Sequence, residues 1–505
     1  MRPKSSPFGL AVNIDSLIAG IIAFVIIQIF CRHSGIGISP DSVTYISSAR
    51  HLGAGKGLTA FDGKPMVDFP AFYPLFLSAL SLITRLDPVV YGPVLNGLLF
   101  FILIYLCGSI MNTFQPESKW YKRILLSVFI LSPALLEIYS MMWSETIFIL
   151  LVILFIITAR NYFQKYSTRS LMLLSAVVGI ACVTRYAGIV LMGTGGLLII
   201  LDPNSPFPRR IKHLIAFSVV SSLLLIINLG RNLLVTGYPA GIRQKGTTSF
   251  LGNIYFFGRI LTDWFPVPAT NTWAVIVTLV TLIICIVVFV RLFSKKATYH
   301  SYEGISAAFC VVYFVFMILS ATISRYEQFT NRLLSPLYIP LFWSLSHWMV
   351  PSPQWNWRKK VPLATFGILL AVGLQYHQWL ANYETYDGVK DAGIPGYTED
   401  PFPQSDIVSW LQANKTAFKP GYTIYSNAAD AVYFFTSLTS HLLPQDVFPH
   451  DIQHFYGENH HYLVWFYDVD NPDLISLQEI LQNKHMTLLH QFNSGAIFVC
   501  ENSKG

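Results

Sequence analysis

The sequence predicts an α-helical polytopic membrane protein with about eleven transmembrane helices, followed by a small soluble α/β domain at its C-terminal end. Three observations predict it. Of the 505 residues, 53% are apolar and only 12% are Asp, Glu, Lys or Arg, about half the charged share of an ordinary soluble domain. Apolar runs long enough to cross a bilayer, at roughly 20 residues per span, recur from the N-terminal end to about residue 380. Beyond that point they stop and acids take over: 382–505 holds 15 of the 27 acids but only five Lys or Arg. With a mean hydropathy of +0.49, a soluble enzyme carried on one anchor is excluded.

Spans are expected near 10–31, 89–112, 122–138, 142–159, 170–182, 185–201, 211–229, 272–293, 303–323, 333–350 and 361–380. The first follows Arg2 and Lys4 and is similar to a signal sequence, but its apolar run is too long and lacks a small-residue cleavage site, so it reads as an uncleaved span. Seventeen of the 34 basic residues fall in the N-terminal tail and alternate short loops, among them Lys119, Lys122, Arg123, Arg209, Arg210, Lys212, Arg358, Lys359 and Lys360. That face carries about +13 and the other about −6, and by the positive-inside rule the first is cytoplasmic. The expected location is the cell (inner) membrane, N-terminus cytoplasmic and C-terminal domain extracytoplasmic. The net charge of +7 then records topology and implies no nucleic-acid partner.

Residues 1–381 are therefore expected to form a transmembrane module with two long outer loops, about 32–88 and 230–271. Residues 382–505 are expected to fold in water, with strands over 422–425 and 496–499 and helices over 405–414 and 474–483. Six scattered cysteines, without CxxC spacing, read as buried packing residues.

The first outer loop concentrates the chemistry. Ser39 followed by Pro40 is a helix-start signal, with Gly53 as the expected C-cap, so Asp41 falls in a first turn where the helix dipole favours an ionised carboxylate. About 13 residues are too few to span, and Val43, Ile46 and Ala49 share a side, so this helix is expected along the membrane interface. Downstream stand Asp62, Asp68 and the run Phe69-Pro70-Ala71-Phe72-Tyr73-Pro74, leading into a short apolar helix.

These residues resemble the first outer loop of GT-C glycosyltransferases, specifically the bacterial branch similar to protein O-mannosyltransferases and lipid A aminoarabinose transferases. The family's order of Asp and Tyr in an interfacial helix, a Gly-containing stretch, a Gly-Lys-Pro turn, an acid and a proline-rich aromatic run is matched by Asp41, Tyr45, Gly53 to Gly57, Gly63-Lys64-Pro65, Asp68 and Pro70 to Pro74. Trp143-Ser144-Glu145-Thr146, Thr184-Arg185-Tyr186-Ala187-Gly188 and Asn331-Arg332-Leu333-Leu334-Ser335-Pro336 resemble later family motifs. Two positions depart: many relatives carry Asp-Glu where this chain has Asp41-Ser42, and Ala71 replaces the second proline of a pair.

The resemblance implies a GT-C fold and transfer of a sugar from a polyprenyl-phosphate donor to a glycan, lipid or protein acceptor at the outer surface of the bilayer. Such a reaction needs a carboxylate that takes the acceptor's proton and cations that stabilise the departing phosphate. Asp41 is the expected base, in a direct displacement that inverts the anomeric centre, since retention would need a second, nucleophilic carboxylate; Asp68 is the second catalytic candidate. Tyr45, Lys64 and Tyr73 are the substrate-binding candidates of the same loop. For the phosphate, Arg185, Arg243, Lys245, Arg259 and Arg332 stand with Arg231 and Arg325 on the outer face, where basic residues run against the topological rule and demand a reason. That reason is either a ligand or pairing with acids such as Glu327 and Asp263. Glu145, at an apolar helix mouth, is expected to bind substrate or to partner one of the arginines.

The histidines, including His33, His51, His450, His454, His460 and His461, show no metal-ligand spacing, so no metal residues are assigned; a divalent cation is left open. Two rival readings share this topology. A transporter or flippase of lipid-linked sugars would carry ionisable residues near mid-membrane, whereas these spans hold them mostly at their ends. A non-catalytic assembly factor would survive substitution of Asp41.

Overall fold

The computed structural model of the protein describes residues 13–114, 119–296, 298–325, 328–346 and 357–501. In chain order the helices are α1 (Ile14–Phe30), α2 (Pro40–Gly53), α3 (Phe72–Thr84), α4 (Pro88–Met111), α5 (Lys119–Ile130), α6 (Pro133–Ser140), α7 (Glu145–Lys165), α8 (Thr168–Thr184), α9 (Ile189–Leu201), α10 (Phe207–Thr236), α11 (Phe250–Trp264), α12 (Asn271–Phe293), α13 (Tyr302–Ile323), α14 (Asn331–Ser346) and α15 (Trp357–Ala392). The C-terminal stretch adds α16 (Asp406–Ala413), β1 (Thr423–Ser426), α17 (Ala429–Thr436), β2 (His441–Leu442), α18 (Pro449–Gly457), β3 (His461–Phe466), α19 (Leu477–Asn483), β4 (Thr487–Gln491) and β5 (Gly495–Cys500).

Each expected span falls on a helix. Among the described residues, α4, α7, α10, α12 and α13 are long and apolar enough to cross a membrane, and the protein is a multi-pass membrane protein. The run 122–138, expected as one span, is α5 and α6 bent by 51°. Ser132 caps the second piece by accepting from the Leu135 N–H at 3.3 Å, and Pro133 at its first position carries no N–H with which to continue the first. The other expected spans are the shorter α1, α8 and α9, together with α14 and α15. Residues 1–12, Glu117, Glu327 and 347–350, on which parts of the sequence reading fell, lie outside the described residues.

The chain divides into two compact units. The first comprises Met1–Phe30, Val67–Phe72 and Pro93–Asp387 and contains the spans. Its interior is built from aromatic and aliphatic side chains such as Phe100, Phe129, Phe148, Phe155 and Trp343, all fully buried. Helix α11 lies in the second long loop, with Ser249 as its N-cap.

The second unit comprises Cys31–Met66, Tyr73–Gly92 and Gly388–Gly505. Its five-stranded sheet has the order β2-β1-β3-β5-β4, with β1 parallel to β2 and β3, and β5 antiparallel to β3 and β4. Interior β5 is buried along its whole length and edge β4 is exposed along its whole length. Leu463, Phe498, Phe455, Ile475 and Ile480 form the core between sheet and helices. Helix α17 packs on α2, where the Tyr433 and His51 rings meet edge to face at 5.9 Å. All six cysteines are buried and unbridged.

Candidate active site

In the first unit the site begins at the end of α6. Asn96 of α4, fully buried, donates from its amide to the carbonyls of Tyr139 and Met141 at 3.0 and 2.8 Å, satisfying acceptors that the helix end leaves open. The Tyr139 hydroxyl donates to the Thr146 carbonyl at 2.9 Å. These bonds fix the extended turn that carries Trp143, Ser144 and Glu145 into α7.

Glu145 is wholly buried, and a buried carboxylate persists only with compensating partners. Two arginines supply them. Arg185 Nη1 stands 2.6 Å from Glu145 Oε1 and donates to Ser144 Oγ at 3.1 Å, and Arg332 Nε donates to the same Oε1. The Arg332 guanidinium also lies over the Trp143 ring, 4.4 Å from its centroid. Glu145 therefore partners both arginines, where the sequence suggested one. The Glu145 side chain keeps 1% exposure and each arginine side chain 18%, so the arginines are the more accessible part of the cluster. Two guanidiniums on one carboxylate leave a net positive charge at this centre, and each has planar donors suited to a phosphate.

Arg185 is positioned by a break in the fold. It ends α8 in an extended conformation, and a 3-10 turn, Tyr186–Gly188, leads into α9. A Cβ on Gly188 would stand 2.5 Å from the Ala181 backbone, so only glycine permits the return. Tyr186, the next residue, grips the segment that carries Asp68: its hydroxyl donates to the Val67 carbonyl at 3.1 Å. From α10, Asn232 donates to Pro239 at 2.9 Å and to the Val67 carbonyl at 3.4 Å, and Asn228 accepts from the Ala71 N–H at 3.2 Å. Asp68 itself is exposed beside Gly241, which holds φ +72° against its carboxylate. Arg243 donates to the Asp68 carbonyl at 3.5 Å and lies over Tyr186, 5.9 Å from its ring centroid. Asp68, Tyr186 and Arg243 are thus brought together, and Tyr186 is joined to the Glu145 cluster through Arg185.

The remaining cations of the first unit have local roles. Lys245 is exposed, its backbone paired with Ser324, and Arg325 donates to Gln244 at 2.7 Å. Arg231 donates to Asn232 at 3.0 Å. Arg259 donates to the Ala269 carbonyl at 3.4 Å, one turn before Asp263.

In the second unit Asp41 lies in the first turn of α2, as expected. Ser39 caps the helix by accepting from the Ser42 N–H, and Ser42 Oγ accepts in turn from the Ser39 N–H at 3.1 Å, a reciprocal box with serine in place of the usual Glu. The strand-like entry is pinned by the Tyr397 N–H on the Ile38 carbonyl at 2.8 Å. At the other end Gly53 is the last helical residue and Ala54 the cap; the left-handed turn falls on Gly55. Asp430 of α17, buried, accepts from the Tyr397 hydroxyl at 2.7 Å and lies within electrostatic reach of Asp41. Burial raises its pKa above the ordinary carboxyl range, Tyr397 opposes the rise, and the Asp41 charge adds to it.

Tyr45 and Tyr73 are buried against each other, edge to face at 5.0 Å, and hold α2 to α3. Lys64 is exposed in a tight turn, its N–H donating to Asp62 at 3.0 Å. Among the described residues, no three His, Cys, Asp or Glu side chains group so as to hold a metal ion.

Several residues of the first unit escaped the sequence reading. Asn228 and Asn232 carry no signal beyond polarity inside an apolar run. Glu137 of α6 does: it is the only acid in 122–138, and an ionisable residue inside a span is a functional candidate by default.

No protein-family model matches the sequence, and no curated protein matches it. Solved structures do. ArnT from Cupriavidus metallidurans, in the apo state, aligns with a TM-score of 0.58 at 12% identity, covering 96% of this chain and 97% of that one. The arabinofuranosyltransferase AftD from Mycobacteria aligns with a TM-score of 0.53 at 15% identity, over 96% of this chain and 42% of AftD. This chain thus spans less than half of AftD. The likeness is one of fold, and it agrees with the helical polytopic membrane architecture and small C-terminal α/β part that the sequence predicts.

Proposed function

We propose that the protein is an integral membrane glycosyltransferase that moves a sugar from a polyprenyl-phosphate donor to an acceptor, with inversion, on the extracytoplasmic side of the cell membrane. The observation that carries this reading is the pair Arg185 and Arg332, held together on the buried Glu145 and each still partly exposed. Cations inside a membrane unit are costly and need a function, and a lipid phosphate at the bilayer surface gives them one. The fold supports it: ArnT shares it over nearly its whole length, and AftD, which shares it too, is an arabinofuranosyltransferase.

In this reading the lipid-linked phosphate engages Arg185 and Arg332, whose positions Glu145 and Trp143 fix in advance. As the bond from the anomeric carbon to the phosphate oxygen lengthens, negative charge grows on that oxygen, and preorganised guanidiniums stabilise it without reorganising. Asp41 takes the proton from the acceptor hydroxyl as its oxygen attacks the opposite face of the sugar. Asp68, on its clamped segment, orients acceptor or sugar with Arg243, while Lys64, Lys245 and Arg259 contribute positive charge along the outer loops. The acceptor is a glycan, a lipid or a protein.

The test is sugar transfer in nanodiscs from synthetic polyprenyl-phosphate sugars. Asp41→Asn is expected to lose at least about 100-fold in kcat, the usual contribution of a general base, with donor binding unchanged. Full activity in that variant would remove Asp41 as the base.

A further inference from the structure

Glu137 has no part in the chemistry above. It sits in α6 between Leu135, Leu136, Ile138 and Tyr139, each at most 2% exposed, yet Glu137 itself is open. An open carboxylate on an otherwise buried helix of a membrane unit borders a polar space, since lipid would impose its full desolvation cost.

Its surroundings define that space. The Asn331 amide donates to Glu137 Oε2 at 3.3 Å, and the indole N–H of the buried Trp264 donates to Asn331 Oδ1 at 2.9 Å. An indole N–H can only donate, so it fixes which end of the carboxamide faces it and turns the amide N–H toward the carboxylate. The chain Trp264 to Asn331 to Glu137 is therefore ordered in one direction. It ends in a carboxylate with roughly four lone-pair positions, of which Asn331 occupies one. Arg332 follows Asn331 in the chain, and both Arg332 and Glu145 lie within electrostatic reach of Glu137.

Phosphate and carboxylate repel, so when a lipid phosphate engages Arg332 the group beside Glu137 must be a hydrogen-bond donor and not a second anion, and on an ordinary sugar that donor is a hydroxyl. In a sugar phosphodiester that group is the sugar, bonded directly to the phosphate. We propose that Glu137, oriented by Asn331, recognises a hydroxyl group of the sugar carried on the lipid phosphate, and so determines which sugar the protein accepts. The inference rests on the proposed donor; it adds a specificity residue and a ligand class, a neutral hydroxyl-bearing hexose or pentose.

The experiment uses the full chain in nanodiscs and a short synthetic polyprenyl phosphate, either bare or carrying glucose, galactose, mannose or arabinose, with singly deoxygenated versions of the best-bound sugar. Binding is measured for wild type, Glu137→Ala and the near-isosteric Glu137→Gln, each checked for thermal stability. Wild type is expected to prefer one sugar-bearing lipid over the bare lipid by about tenfold or more, and Glu137→Ala to abolish that preference without weakening bare-lipid binding. One deoxygenated sugar should cost wild type about tenfold and cost Glu137→Ala nothing. Glu137→Gln should fall between them, and it carries the test if Glu137→Ala does not fold. Equal weakening of bare and sugar-bearing lipid, an undiminished preference in both variants, or a wild type that binds both lipids alike would overturn the proposal. A wild type that shows the preference but transfers no sugar would overturn the transferase reading and leave the role of Glu137 standing.

Discussion

Arg185 sets its Nη1 2.6 Å from Glu145 Oε1, the same oxygen that Arg332 engages. One buried carboxylate thus fixes two guanidiniums contributed by distant parts of the chain, α8 and α14.

Removing that carboxylate leaves two cations without their partner in a buried setting. Glu145→Ala is expected to destabilise the membrane unit by about 3–5 kcal/mol, the usual cost of breaking a buried pair from one side. The check is thermal unfolding in detergent followed by tryptophan fluorescence. Glu145→Gln keeps the shape and loses the charge, so it should cost less stability while still disordering Arg185 and Arg332. An unchanged melting temperature in both variants would mean that the arginines are held by something else.

Gly188→Ala tests the return from α8 to α9. The added methyl would meet the Ala181 backbone at 2.5 Å, which side-chain motion cannot relieve. A loss of about 1–3 kcal/mol is expected, with weaker binding of bare polyprenyl phosphate, since Arg185 lies three residues earlier. The same substitution at Gly230, where nothing lies within 4 Å, should change neither quantity.

The C-terminal sheet carries a pH dependence of its own. His461 is fully buried, and neither ring nitrogen has a hydrogen-bond partner among the described residues. Burial, and after it the nearby Lys484 charge, lower its pKa from 6.5 to about 4, with Glu458 opposing them. The unfolded chain therefore binds the proton more readily than the folded one. Stability from this residue is complete above pH 6.5 and is lost as the pH falls toward 4, by roughly 3 kcal/mol over that window. His461→Phe keeps a ring against Tyr425 and Phe455 and should flatten the profile. Hydrogen exchange of β3 at pH 7 and pH 4.5 measures it; equal slopes in wild type and variant would contradict the assignment.

Much of the fold was legible because membrane helices announce themselves by apolar length alone. The two strands and two helices expected in the C-terminal part fell within a few residues of β1, β5, α16 and α19, while β2, β3, β4, α17 and α18 were not foreseen, and the Ser39-Pro40 signal located α2 and put Asp41 in its first turn. What distant residues meet was not legible. Nothing in the spacing of Glu145, Arg185 and Arg332 tells that all three share one oxygen, because the encounter depends on how α7, α8 and α14 pack. Tyr45 and Tyr73 illustrate the converse: in sequence they stand among the loop's polar and aromatic candidates, and in the fold they bury each other. The bend at Pro133 and the open Glu137 beyond it were readable in principle, a proline and a lone acid in one apolar run, but the run's hydropathy masked both.

The most direct measurement follows the fate of the lipid phosphate itself. Wild-type protein in nanodiscs is incubated with synthetic polyprenyl-phosphate sugars labelled in the sugar, and bare polyprenyl phosphate is quantified by mass spectrometry together with the labelled product. For at least one donor, the account predicts release of bare polyprenyl phosphate in step with labelled product of inverted anomeric configuration, and loss of both in Arg185→Ala and Arg332→Ala. Movement of the intact sugar-lipid across a sealed bilayer, with no bare polyprenyl phosphate formed, would contradict it.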